Sequence, residues 1–412
     1  MQTPYGHLTY CTNIHSGESW TDHFRQLQQH LPQVKKAVSP QQPFGIGLRL
    51  SDAASKELLE KGNVNIFKAW LQQHGCYVFT MNGFPYGGFH HTVVKEAVHT
   101  PDWLTNERVE YTKRLAYILA QLLPEDLDGG ISTSPLSYRY WFSEAEKEEA
   151  VAKATESILT VAEALIQIKR ETGKTIHLDI EPEPDGMLEN GAEFLHWYQQ
   201  TLVPAAIPYF EKKLYYSEAE ALAAVKAHIT LCYDVCHFAI GYEDHAAYLQ
   251  QLQEAGIRVG KIQISAALKA ALPQAAADRQ KVFEAFSRFN EPVYLHQVVA
   301  RNRDGNLLRY RDLPQALHDT TATAAVEWRA HFHVPIFAES FGLLQSTQGD
   351  IINVLALHRA QPFTTHLEVE TYTWEVLQND LKAPLTESVI RELQWVQQQL
   401  LKGKTNIFNS HA

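Results

Sequence analysis

Short apolar runs alternate along this chain with longer stretches whose apolar positions recur every three or four residues. HLTYCTNI (7–14), FGIGLRLS (44–51), CYVFTMNGF (76–84), GGISTSPLSY (129–138), TIHLDIEPEP (175–184), the run opening at Ile229, RVGKIQIS (258–265) and THLEVETYTW (365–374) read as strands. Helical stretches fall between them. The first spans 19–38 and is closed by Pro40 and Pro43, and a second runs from Asp52, its cap, toward His74. Further helices cover 105–123, 143–172 up to Gly173, a segment with Phe194, Trp197 and Tyr198, then 218–227, 244–255 up to Gly256, and 387–401. Strand–helix alternation at this spacing implies parallel pairing through right-handed crossovers, and eight such units close a (β/α)8 TIM barrel. An open doubly wound sheet is the rival, but no Gly-rich phosphate loop follows the first strand.

Two regions exceed the simple count. After the third strand comes a Gly- and aromatic-rich loop, FPYGGFHHTVVKEAVHTPDW, of a length more often functional than ornamental. Between the seventh and last strands, VYLHQVVARNRDGNLLRYRDL (293–313) reads as a hairpin turning at Asp304-Gly305, and AVEWRAHFHVPIFAE (325–339) as another extended run. The expectation is a single TIM-barrel domain over 1–412 with an insertion at about 268–360, an elaborated loop after strand seven on the C-terminal face.

Composition narrows the function. A chain of 412 residues with 45% hydrophobic content has material for a sizeable core. A formal charge of −11 without a basic run argues against a nucleic-acid partner. Cys11, Cys76, Cys232 and Cys236 lack CxxC spacing and read as buried thiols of a reducing compartment. No leader-like start and no window of membrane-spanning length is evident, so a cytoplasmic, soluble protein is expected.

The candidate chemistry sits at strand ends. Strand five closes on Asp179-Ile180-Glu181, strand six on Asp234 with His237 three residues on, and strand eight carries Glu368 and Glu370. Period-two alternation sends each carboxylate pair to one side of its strand. Strand seven adds Gln263 and Ser265, and the following loop adds His331 and His333. Oxygen-rich sets with one or two imidazoles suit Mn²⁺, Mg²⁺ or Zn²⁺. The competing readings are that Asp234 caps the next helix, that His237 is a turn histidine, and that single carboxylates form salt bridges inside the barrel. His15, Asn82 and the Tyr86–Phe89 loop, with His90, are candidates for the mouth of the site. Trp141, Trp328 and Trp374 are candidates for ring stacking, against packing of helices, and Arg139 and Arg329 for a phosphate, against solvated surface.

The stretch CYDVCHFAIGYE (232–243) resembles the strand-six motif of the endonuclease IV family, where an Asp-x-x-His pair binds zinc. The order of Glu, Asp-x-x-His and Glu on strands five, six and eight is similar to that of xylose-isomerase-like sugar isomerases and epimerases. Over nearly its full length the chain resembles the EboE family of metabolite traffic proteins. TMNGFPYGGFHHTVVKEAV, GGISTSPLSYR, EWRAHFHVPIF and HLEVETYTWEVL carry that likeness.

The resemblance implies a xylose-isomerase-like barrel working with other enzymes of a secondary-metabolite pathway. It implies metal ligands Glu181, Asp234 and Glu370, with Gln263 where the epimerases place a histidine, and His237, His331 or His333 as further ligands. A trinuclear zinc site would need histidines on strands three and four, where this chain has Asn82 and Ser132. The activity so implied is a metal-dependent isomerase or epimerase of a sugar-like or phosphorylated metabolite. Glu181 and Glu370 would be its proton carriers, His237 would hold substrate oxygen, and His15, Asn82, His90, Arg139 and Trp374 would contact substrate. An endonuclease IV-like phosphoesterase and a non-catalytic handover protein are the alternatives.

Overall fold

The computed structural model describes residues 1–88, 94–321, 323–372 and 384–402. Its centre is an eight-stranded parallel barrel. We label the strands β1 (Gly6–Tyr10), β2 (Phe44–Arg49), β3 (Cys76–Asn82), β4 (Gly129–Thr133), β5 (Ile176–Ile180), β6 (Ile229–Asp234), β7 (Val259–Ile264) and β8 (His366–Val369). β1 pairs with β8, and pairing then runs through β7, β6, β5, β4 and β3 to β2. The ring closes between β1 and β2. Cys11 bridges Gly47 in parallel, and Thr9 Oγ1 donates to the Gly45 carbonyl at 2.8 Å. A short strand, Gln2–Thr3, lies antiparallel outside β1.

β2, β4, β5, β6, β7 and β8 are buried at every position, as strands sandwiched between a helical jacket and a filled interior must be. The jacket helices show the local signals expected of them. Ser143 and Glu146 form a capping box that opens Glu144–Thr172, and Gly173 closes that helix at φ 77°. One expectation is corrected: the 52–74 stretch is two helices, Asp52–Leu59 and Asn63–Gln73. Lys61 and Gly62, both at positive φ, break it. Its cap is Ser51, which accepts from the Ala54 amide at 3.0 Å, while Asp52 pairs with Lys56 and Arg114.

The barrel interior is polar along much of its axis. Lys261 of β7 and Glu368 of β8, neither side chain exposed, pair at 2.9 Å in mid-barrel. Below them Asp179 accepts from Thr230 and approaches His177 Nδ1 at 2.5 Å. Gly260 is required here, because a Cβ at that position would collide with Asp179.

The region after β7 builds a second sheet of six strands, in the order Leu307–Tyr310, Val298–Asn302, Ala325–Ala330, Leu268–Ala271, Leu344–Ser346, Ser340–Phe341. The hairpin expected at Asp304-Gly305 is present, with Val298 opposite Tyr310 and Gly305 at φ 87°. The extended run at 325–339 is a strand only to Ala330. Helices Ala276–Ser287, Leu313–His318 and Gln348–Ala360 were not expected from the sequence. Trp328 packs on Phe283 inside this unit, 1% exposed, which rules out a stacking role in an open site. Among the described residues no helix is long and apolar enough to cross a membrane. All four cysteines are buried and free of disulfides.

Candidate metal centre

β5, β6 and β8 deliver one carboxylate each to the C-terminal mouth of the barrel. Glu181 follows β5 directly, its amide bonded to the Thr133 carbonyl at 3.0 Å, and Glu370 follows β8, its amide bonded to the Ile264 carbonyl at 3.0 Å. Asp234 ends β6. One oxygen from each of the three lies within 4.8 Å of the others, and all three side chains are buried.

Asp234 takes the helix-capping role with one of its two oxygens. Its Oδ1 caps helix Val235–Ile240, accepting from the Cys236 amide at 2.8 Å and from Ser265 Oγ at 2.6 Å. Its Oδ2 has no hydrogen-bond partner, nor has Glu181 Oε2. Glu370 is held more firmly. Its Oε1 accepts from Asn13 Nδ2 at 2.6 Å and from Asn82 Nδ2 at 2.9 Å.

Three imidazoles surround these acids. His237 Nδ1 faces the Pro182 carbonyl at 2.9 Å and His333 Nδ1 faces the Glu370 carbonyl at 3.1 Å. A carbonyl only accepts, so both Nδ1 atoms carry a proton, and in His333, which burial keeps neutral, Nε2 presents a lone pair. His331 Nδ1 faces Gln297 Oε1 at 2.8 Å, and Gln297 Nε2 donates to the Pro184 carbonyl at 3.2 Å, which fixes the amide's orientation. His331 Nε2 is buried without a partner. The Nε2 atoms of His237 and His333 stand 3.8 and 3.9 Å from Asp234 Oδ2, and His333 Nδ1 stands 3.4 Å from Glu370 Oε2. The two longer separations exceed a hydrogen bond.

The electrostatics agree. Burial, then the charges of Asp234 and Glu370, push the Glu181 carboxyl well above its ordinary range. Burial, then Asp234, pushes Glu370 up to about 8, opposed by the amide of Gln263. Burial lowers His331 well below the ordinary imidazole value and His333 to about 4, keeping both neutral and ligand-competent. The nearest interior cation, Lys261, is committed to Glu368, and Lys95 at the rim is committed to Asp312 at 2.6 Å. Unpaired buried carboxylates are costly, and either protons or a divalent cation relieve them. The donor set, with two orphaned carboxylate oxygens and three inward Nε2 atoms, fits such a cation.

Glu181, Glu370, His237, His331, His333 and Asn82 all line one cavity of about 70 Å³ among the described residues. Gln263 lies beneath it, paired in register with Asp234 and Glu368. The inner members of the two acidic pairs, Asp179 and Glu368, are structural, as the salt-bridge reading had it. His15 is corrected: it is buried away from the cavity, bonded to the Tyr10 hydroxyl at 2.9 Å and stacked on His30. Arg139 is corrected too, since its guanidinium is consumed by Glu189 and Glu193. Arg329 pairs with Glu327 and Asp350. His90, Phe89 and Trp374 lie outside the described residues.

Sequence reasoning missed Asn13, Glu183, Gln297 and Tyr372 in the lining. Extending the period-two alternation beyond the strand ends would have found three of them: Asn13 follows Cys11, Glu183 follows Glu181, and Tyr372 follows Glu370. Gln297 has no such signal.

No protein-family model matches the chain. No curated protein matches it either. Among solved structures it is similar to several proteins at low identity. One is the probable 3-DHS dehydratase AsbF of Bacillus anthracis, with 14% identity, TM-score 0.45, and 95% of this chain and 98% of that one covered. A second is the IOLI protein with a bound zinc atom, with 12% identity, TM-score 0.45, and coverage of 96% and 98%. A third is an L-ribulose 3-epimerase, with 11% identity, TM-score 0.47, and coverage of 96% and 94%. At these scores the likeness says nothing of chemistry, and the barrel rests on its own strand pairing.

Proposed function

We propose that this protein is a metal-dependent isomerase or epimerase of a small polyhydroxylated, sugar-like metabolite. The observation that carries the reading is the convergence of the Glu181, Asp234 and Glu370 carboxylates, with Glu181, Glu370 and three imidazoles lining one cavity. Glu181, Asp234, Glu370 and His333 would hold a divalent ion, with His237 and Gln263 beside it. When bound, such an ion polarises a substrate carbonyl and its neighbouring hydroxyl.

The chain's own residues divide the remaining work. Glu181, with an oxygen free of protein hydrogen bonds, is the group able to take a proton from carbon and return it. Glu370, clamped by two asparagine amides, is the fixed member of the pair and holds charge rather than moving far. His331, kept neutral by burial, presents a lone pair that accepts from a substrate hydroxyl, and His237 lines the cavity within reach of substrate oxygen. Burial of the whole group excludes water and strengthens each of these contacts.

The stretches that resemble the EboE family coincide with this mouth: they contain Asn82, His331, His333 and Glu370. That coincidence supports a substrate drawn from secondary-metabolite traffic in the cytoplasm, handled beside other enzymes of the pathway. A second reading, a phosphoesterase, is favoured by one observation: Cys236, His331 and His333 form another triad able to hold an ion next to the first.

The test is incubation of the Mn²⁺-loaded protein with a panel of small ketoses in deuterated water. Metal-dependent deuterium incorporation beside the carbonyl, lost in Glu181→Gln, is expected. Metal-dependent hydrolysis of a phosphate ester with no exchange would replace the first reading by the second.

A further inference from the structure

The opposite end of the barrel holds a second cluster of ligand-type side chains that the proposed chemistry does not use. Asp128 immediately precedes β4, His177 is the second residue of β5 and His366 the first of β8, so all three lie at the N-terminal ends of strands. One donor atom from each falls within 4.8 Å of the others. His177 Nε2 is 3.6 Å from Asp128 Oδ2, and His366 Nε2 is 3.4 Å from Asp128 Oδ1. Tetrahedral ligands at about 2.0–2.1 Å from an ion stand roughly 3.3–3.4 Å apart, a spacing that these separations approach.

Two independent features point to a ligand. His177 is fully buried, its Nε2 has no hydrogen-bond partner, and that atom is aimed at Asp128. Its other nitrogen is fixed from behind, because Nδ1 meets Asp179 Oδ1 at 2.5 Å and Asp179 in turn accepts from Thr230. A carboxylate holding the far nitrogen of an imidazole is how metal-binding histidines are oriented. Space is also reserved. A Cβ on Gly130 would come within 2.7 Å of His177 Cε1 and 2.9 Å of His366 Nδ1, so only glycine admits both rings. Arg258 donates to Asp128 Oδ2 at 2.8 Å and leaves Oδ1 for an ion. His7 on the adjoining strand has its Nδ1 bonded to the Tyr77 hydroxyl.

We propose that Asp128, His177 and His366 form a structural site for a divalent transition metal of the zinc type, closing the N-terminal end of the barrel. Two imidazoles and one carboxylate with a water position suit such an ion better than Mg²⁺ or Ca²⁺. The ion would brace β4, β5 and β8 across the barrel floor. The rival occupant is a proton on His177 bridging Asp128 and Asp179, with no metal involved.

The experiment separates this site from the one at the mouth. Full-length protein carrying Asp234→Asn, and in parallel Glu181→Gln, is stripped with chelator, checked for folding by circular dichroism, and titrated with Zn²⁺ and Co²⁺. One equivalent of zinc, visible Co²⁺ absorption and a zinc-dependent rise in melting temperature are expected to persist in both backgrounds. Adding Asp128→Asn or His366→Gln should weaken that ion at least about 100-fold and abolish the rise in melting temperature. Binding that is unchanged by both lower-site substitutions overturns the proposal. So does the lack of any zinc-dependent rise in either background, which is the result the bridging proton gives.

Discussion

His333 Nε2 stands 3.9 Å from Asp234 Oδ2, although Asp234 ends β6 and His333 belongs to the insertion that follows β7. The segment after β7 therefore brings a histidine into the cluster with Asp234 and His237. Strand Ala325–Ala330 ends where His331, Phe332 and His333 begin, and alternation continues past it. Phe332 turns into the insertion's core, stacked on His296 at 3.7 Å, so the two flanking histidines turn to the cavity.

His333→Gln should weaken divalent metal binding by about 10- to 100-fold, since it removes an imidazole between Asp234 and Glu370. Isothermal titration of the apoprotein with Mn²⁺ checks this. Affinity equal to that of the unaltered chain would remove His333 from the ligand set.

Asn13→Ala strips one of the two amides that clamp Glu370 Oε1. A hydrogen bond to a charged acceptor is worth roughly 1.5–3 kcal/mol, so the fixed carboxylate loses orientation and turnover should fall about 10- to 100-fold. Steady-state kinetics is the readout, with melting temperature as the control for folding.

Lys261 and Glu368 pair at 2.9 Å with neither side chain exposed, and Lys261 Nζ also donates to Ser132 Oγ at 3.0 Å. Lys261→Met leaves Glu368 charged and alone, at a cost of about 3–5 kcal/mol in urea unfolding. Lys261→Met with Glu368→Leu should recover most of that loss. A double variant no more stable than the single one would show that the pair itself stabilises the barrel.

Glu392, on helix Leu385–Leu401, has its carboxyl pushed up to about 8 by burial, opposed by hydrogen bonds from Thr371 and the Ile336 amide. In the unfolded chain it titrates near 4.5. The folded state thus holds the proton more tightly, so the contribution is fully present below pH 4.5 and is lost as pH rises through about 8. Stability should decline by a few kcal/mol across that window, at about 1.4 kcal/mol for each pH step of one. Glu392→Gln should flatten the decline in denaturant midpoints measured between about pH 5 and 9.

The order of strands and the acids at their ends were legible without coordinates, because both are local. Buried parallel strands announce themselves as apolar runs, and period two decides which residues at a strand end share a side. That logic pointed to Glu181, Asp234 and Glu370, which the barrel gathers at one mouth. It failed at His15 and Arg139, whose neighbours in space, His30, Glu189 and Glu193, are set by packing that no local pattern encodes. It also failed on the helix broken at Gly62, where the left-handed Lys61-Gly62 pair outweighs a continuous apolar period.

By itself the sequence determined the barrel's period, its two-sided burial and which strands end in acids. Only the tertiary structure decided that an insertion folds back to set His333 against Asp234. Only it put two asparagines, from the ends of β1 and β3, on one Glu370 oxygen, and brought Asp128, His177 and His366 together at the barrel's floor. The physical reason is closure. Joining β1 to β2 turns residues far apart in the chain into neighbours around one axis, and those distances follow from the register of the whole ring.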